Sequence, residues 1–177
     1  MLALARTAIV SALGGQAMPP GLSESGPFSR KRGVFVTLQV HGKLRGCIGV
    51  IEPRDSLGEN IIHCAQGAAL RDPRFPALGA EELHGLEIEI SLLSDLFPIA
   101  PEVIQIGKHG LVIATEDHRG LLLPQVATEH HLSREEFLAE TCHKAGLPRH
   151  AWRDPQTEIY GFTCEIFREG STGAVSG

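Results

Sequence analysis

No apolar run in this 177-residue chain approaches the ~20 residues a membrane span requires, so a soluble protein is expected. Positive charge is scarce as well. Lys and Arg number 16 against 21 Asp and Glu, a formal net charge of −5, which argues against a non-specific phosphate-binding surface and against duplex nucleic acid as a partner. A small nucleotide or an RNA fragment is left open. The four cysteines, at 47, 64, 142 and 164, form no Cys-x-x-Cys pair. A disulfide framework and structural zinc are therefore disfavoured, and a reducing cytosol fits best. No P-loop, Gly-x-Gly-x-x-Gly, Gly-x-Ser-x-Gly or zinc-deaminase pattern occurs. His130, His131, His143 and His150 have no metal-ligand spacing, so no metal site is assigned, and the sequence names no cofactor. There is no internal repeat.

What the chain does contain is a dense motif, Leu44-Arg45-Gly46-Cys47-Ile48-Gly49. It lies on the returning strand of an expected hairpin. Residues 33–40 form a β-branched, partly alternating run, residues 43–51 are its partner, and His41-Gly42 is the two-residue turn. Simple pairing from that turn sets Cys47 opposite Val36 and Arg45 opposite Leu38, both on one face. Gly46 and Gly49 leave bare backbone in a strand, which weakens it unless something approaches closely.

Residues 2–13 read as a helix ending at Gly14-Gly15, a better account of the apolar start than a signal peptide because Arg6 interrupts it. A Pro/Gly/Ser-rich connector over residues 19–27 and a solvated Arg30-Lys31-Arg32 rim follow. Ser56-x-x-Glu59 is a capping box opening a helix that Pro73 ends near residues 70–72. Residues 86–92 alternate as a half-buried strand with Glu87 and Glu89 on its polar face. A second hairpin spans residues 111–123, and Ser133-x-x-Glu136 opens a helix that Gly146-Leu147-Pro148 closes. One last strand covers residues 158–167, and residues 171–177 are expected to be a disordered tail. Hairpins separated by helices predict an α+β fold with a largely antiparallel sheet flanked by helices.

The motif at residues 44–49 resembles the signature of the AMME chromosomal region gene 1 protein family, whose domain is termed AMMECR. The resemblance extends through Gly33-Val34-Phe35-Val36-Thr37-Leu38, Asp72-Pro73-Arg74-Phe75, Leu86-Glu87-Ile88-Glu89-Ile90-Ser91, His109-Gly110-Leu111, Gly120-Leu121-Leu122-Leu123-Pro124-Gln125-Val126 and Lys144-Ala145-Gly146-Leu147-Pro148. It implies a single AMMECR-like domain over residues 1–170, built as a larger α/β lobe and a smaller one. It further implies a cleft between the lobes, lined by the Cys47 hairpin. Microbial members are associated, as one part of a three-part system, with a Memo-like protein and a radical S-adenosylmethionine enzyme, which implies a shared modification pathway. This chain has no Cys-x-x-x-Cys-x-x-Cys for an iron–sulfur cluster, so it is not the radical enzyme. The family's first helix is expected to be longer at its start than the one opening beside Met1.

Cys47 reads in two ways. It is a nucleophile, needing a cation or His to hold its thiolate, or a small core hydrophobe. Arg45, two residues away on the same expected strand face, is the candidate cation for Cys47; it also either anchors a carboxylate or phosphate of a small anionic ligand, or pairs with Glu87 or Glu89. His109, in a Gly-flanked loop expected to be flexible, is a general base for Cys47, a ligand-binding group, or simply an exposed histidine. The Asp72-Pro73-Arg74-Phe75 stretch is a helix stop and loop clamp; the resemblance implies that Asp72 or Arg74 faces the cleft. Two functions follow: a Cys47-dependent enzyme or enzyme subunit, or a non-catalytic adaptor whose cleft recognises a peptide, nucleotide or partner protein.

Overall fold

The computed structural model describes residues 1–17 and 26–169, and the chain divides into two compact units, Met1–Leu93 with Glu165–Gly177, and Ser94–Cys164. The greater part of the expected connector and the whole expected tail lie outside the described residues. In the first unit, helix α1 (Leu2–Leu13) precedes the hairpin β1 (Val34–Val40) and β2 (Lys43–Val50). Helix α2 (Leu57–Leu70) and strand β3 (Leu86–Leu93) follow. Strand β4 (Phe97–Pro98), the hairpin β5 (Gly110–Ala114) and β6 (Arg119–Leu122), helices α3 (Pro124–Glu129) and α4 (Arg134–Lys144), and β7 (Glu158–Phe162) build the second unit. Strand β8 (Cys164–Arg168) returns to the first sheet, so the orders are β2-β1-β3-β8 and β4-β7-β5-β6. The fold is α+β, and the β1–β2, β1–β3, β5–β6, β5–β7 and β4–β7 pairs are antiparallel.

Local chemistry explains the element ends. Ser56 accepts from the Glu59 N–H and Glu59 Oε2 accepts from the Ser56 N–H at 2.9 Å, closing the α2 capping box. Ser133 and Glu136 do the same for α4. At its other end Leu147 N–H reaches Cys142 O and Gly146 N–H reaches His143 O, with Gly146 at φ 75, a Schellman cap. Strand β4 and helix α3, which starts on Pro124, carry too little periodicity for sequence reading; both are short.

The expected last strand is two strands. Thr163 breaks it, donating its N–H to Ser94 Oγ and accepting from Ser94 N–H, each at 2.9 Å, so residues 158–162 and 164–168 join different sheets. In the first unit both helices pack on one sheet face, burying Val34, Val36, Leu38, Ile88, Ile90 and Leu92 against Ile9, Ile61, Cys64 and Ala68. Each fully buried Val, Leu or Ile contributes about 1.5–3 kcal/mol. The opposite face carries Phe35, Thr37, Glu87, Glu89 and Ser91. It is less open than alternation suggests, since Glu89 and Ser91 are buried while Glu87 is exposed.

The hairpin turn is His41-Gly42 with φ of 53 and 73, the two positive values of a tight hairpin turn. The register beyond it departs from simple pairing. Gln39 pairs with Leu44 but Leu38 pairs with Gly46, so Arg45 is the extra residue of a β-bulge. A one-residue slip exchanges faces. Cys47 therefore lies opposite Thr37, away from the helices, and Gly46 and Ile48 turn toward α2. There a Cβ on Gly46 would sit 2.0 Å from the Ala68 carbonyl oxygen, while on the far face a Cβ on Gly49 would sit 2.3 Å from the Phe35 ring. Gly46→Ala should cost roughly 3 kcal/mol, the upper part of the overpacking range, because the obstacle is backbone. Gly14→Ala, whose Cβ would meet nothing nearer than 3.4 Å, should change stability by less than about 0.5 kcal/mol. Urea unfolding of both variants checks this, and equal midpoints would refute the packing role of Gly46.

Candidate functional site

The signature's residues divide between building the sheet and presenting one thiol. Asp72, just past α2, sends Oδ2 to the Cys47 N–H at 2.9 Å, and Arg74 Nη2 donates to the Cys47 carbonyl at 3.3 Å. Arg74 grips Asp72 with Nε at 3.0 Å and Nη2 at 2.7 Å, and its own N–H donates to Asp72 Oδ1 at 3.0 Å. Both backbone polar groups of Cys47 are thus held by one ion pair that also fixes the turn after the helix. The Asp72 side chain is 2% exposed and that of Arg74 is 54% exposed. The Arg74 bonds, and behind them the N–H groups of Cys47 and Arg74, hold the Asp72 carboxyl well below the usual carboxylate range against the opposing effect of burial.

The Cys47 sulfur accepts from Thr37 Oγ1 at 3.3 Å across the β1–β2 pair, and the residue as a whole is half-buried. The Arg74 guanidinium is kept charged mainly by Asp72 and, in smaller part, by the neighbouring Cys47 side chain. A cation therefore attends the thiol, and it is Arg74. Cys64 and Cys142 are buried; burial pushes the Cys64 thiol up to about 12 and raises that of Cys142.

Arg45 goes elsewhere. Its Nε and Nη2 fork onto Glu82 at 2.8 and 2.9 Å, and its remaining donors reach the carbonyls of Pro76 at 2.8 Å and Ala77 at 3.2 Å. The expected pairing with Glu87 or Glu89 is not formed, because the bulge swings Arg45 toward residues 76–85. Glu89 pairs with Arg168 instead, and Glu87 is exposed. Arg45 and the Gly79 N–H together lower the Glu82 carboxyl. Gly79 and Glu82 make the capping contact of the 3-10 turn Ala80–Gly85, at 2.8 Å, and that is the sequence signal by which Glu82 could have been found. Gly46 and Gly49, read as ligand-approach positions, have their side-chain space filled by the Ala68 backbone and the Phe35 ring.

His109 belongs to the second unit and is 8% exposed, not the exposed residue of a flexible loop. Its Nδ1 accepts from the Gln105 N–H at 3.2 Å, its backbone N–H donates to Gln105 O at 3.0 Å, and its ring meets Phe97 edge-on at 5.9 Å. Burial, and secondarily Lys108, favours its neutral form. Among the described residues no cluster of three or more His, Cys, Asp or Glu could hold a metal, and no helix is long and apolar enough to cross a membrane.

Comparison with known proteins bears on this arrangement. The AMMECR1 family model matches residues 2–167. The chain belongs to the AMMECR1 family. A protein of Methanothermobacter thermautotrophicus is 46% identical, covering 80% of this chain and 78% of its own. One of Pyrococcus furiosus is 45% identical, covering 86% and 75%. The crystal structure of an uncharacterized protein from Pyrococcus horikoshii superposes with a TM-score of 0.89 at 41% identity, over 96% of this chain and 89% of that one. The AMMECR1 fold is thus established for this chain.

Two outcomes test the site's construction. The depressed Asp72 carboxyl stabilises the folded state fully above its unfolded value of about 4, and that stability is lost as pH falls toward the folded value. Asp72→Asn should therefore cost about 2 kcal/mol at neutral pH. The gap to wild type should narrow steadily below about pH 4; a gap independent of pH in urea unfolding would show that the carboxylate charge is not involved. Arg45→Lys keeps charge but loses the fork, and should speed amide exchange over residues 79–85 roughly five- to tenfold while leaving β3 unchanged.

Proposed function

We propose that Cys47 and Arg74 form the working site of this AMMECR1 protein. In this reading a small anionic substrate docks on the exposed half of Arg74 and presents a reactive centre to the Cys47 sulfur. One observation carries it: the Asp72–Arg74 pair immobilises both backbone groups of Cys47, a residue left half-buried beside a cation. Fixing a reactive atom through the backbone is how a site is pre-organised without spending its side chain. Arg74 thereby takes the anchoring role first read for Arg45. This reading assigns no role to His109, whose Nδ1 accepts from the Gln105 N–H. The Memo-like protein and radical S-adenosylmethionine enzyme implied by the resemblance fit as partners of such a step, with this chain supplying thiol and anion site.

A second reading has its own support. Arg45, Gly46 and Gly49 are all spent on internal packing, which suits an adaptor in which the signature builds a rigid surface and Cys47 is inert. Matched alkylating reagents separate the two. Iodoacetate and iodoacetamide differ by a carboxylate, and modification of Cys47 is read by mass spectrometry with Cys64 and Cys142 as internal controls. The enzyme reading expects Cys47 to react at least tenfold faster than the buried thiols. It also expects the iodoacetate-to-iodoacetamide rate ratio to fall severalfold in Arg74→Met. A Cys47 as slow as Cys64 in the folded protein leaves the adaptor reading; an unchanged ratio removes Arg74 as the anion anchor.

A further inference from the structure

The second unit contains a cavity of about 370 Å³ between β6, α3 and α4, within the roughly 300–1,000 Å³ of small-molecule sites. Its floor is Leu122, Val126 and Leu132, three aliphatic side chains left only partly buried. Its rim bears exposed His130, His143 and Lys144. The one carboxylate lining it, Glu140, is paired with Arg149 and so offers no unopposed negative charge. Three of the four last-turn carbonyls of α4 are also answered, Thr141 O by Ala145 N–H, Cys142 O by Leu147 N–H and His143 O by Gly146 N–H. The usual negative character of a helix C-terminus is thereby reduced where the rim lies.

We propose that this cavity binds a small amphipathic carboxylate, its apolar body on Leu122, Val126 and Leu132 and its carboxylate at Lys144 with the two imidazoles. The alternatives fit less well. A cationic ligand would face Lys144, and a bare inorganic anion would leave the aliphatic floor unused. The two histidines and Glu140 are not placed to share a metal, since no metal-holding cluster occurs among the described residues. The proposal uses no residue of the Cys47 site and stands apart from the reading of that site. The cavity was not legible in the sequence because its wall comes from three elements, one of them the short α3.

The test uses the whole 177-residue chain, 15N-labelled and titrated with 4-phenylbutyrate, its neutral amide and acetate. The site predicts saturable shifts confined to amides of residues 122–144. It predicts affinity for the amide and for acetate lower by about tenfold each, the loss of one charge-assisted contact or of the apolar body. Lys144→Met, exposed and retaining the aliphatic stem, should weaken phenylbutyrate at least fivefold. Val126→Trp should abolish binding by filling the cavity while leaving Cys47 alkylation unchanged. Equal binding of the amide, undiminished affinity in Lys144→Met, or shifts lying outside residues 122–144 would overturn the proposal, as would the lack of saturable binding.

Discussion

The close approach of α2 to β2 at Gly46 is the constraint on which the first unit depends. The Ala68 carbonyl oxygen occupies the place a Cβ would take, and Gly67 faces Ile48, where an added Cβ would meet Ile48 Cγ2 at 3.2 Å. Backbone so near backbone brings the helix down onto the sheet and sets which residues of β2 can face it. Gly46 must point inward, so its neighbour Cys47 must point outward. The Arg45 bulge is what reconciles that orientation with a two-residue turn. Without it, Cys47 would face the same way as Val36 and Leu38, both fully buried beneath the helices.

The same helix carries the second consequence at its end. Pro73 stops α2, and Asp72 is left beside the outward backbone of β2, where it takes the Cys47 N–H. A buried carboxylate is costly unless its lone pairs are filled; here Arg74 and two N–H groups fill them. Arg74 is only half covered, so the pair is anchored from within and electrically active at the surface. The bonds that fix the turn after the helix are also the ones that hold the backbone of Cys47.

Arg45 shows how residue type under-determines role. The fork that suits a ligand carboxylate equally suits Glu82 and two loop carbonyls, and the bulge delivers it to those. Glu89 likewise has Arg168 as its partner, on a strand that returns to the first sheet only after the whole second unit has been built.

Sequence by itself determined the helices α1, α2 and α4, both hairpins and β3, since each is fixed by local signals: apolar period, capping boxes, a turn with positive φ, a glycine cap. It also singled out Cys47 and the Asp72–Arg74 stretch. Only the tertiary structure decided which face Cys47 occupies, which cation attends it, that Arg45 is internal, and that the last strand divides at Thr163. Those outcomes turn on a one-residue register slip and on partners 25 to 79 positions apart. A slip of that size reverses every side chain in a strand, and nothing local in the sequence records it, because the glycine that demands it is answered by a helix carbonyl that only folding brings near.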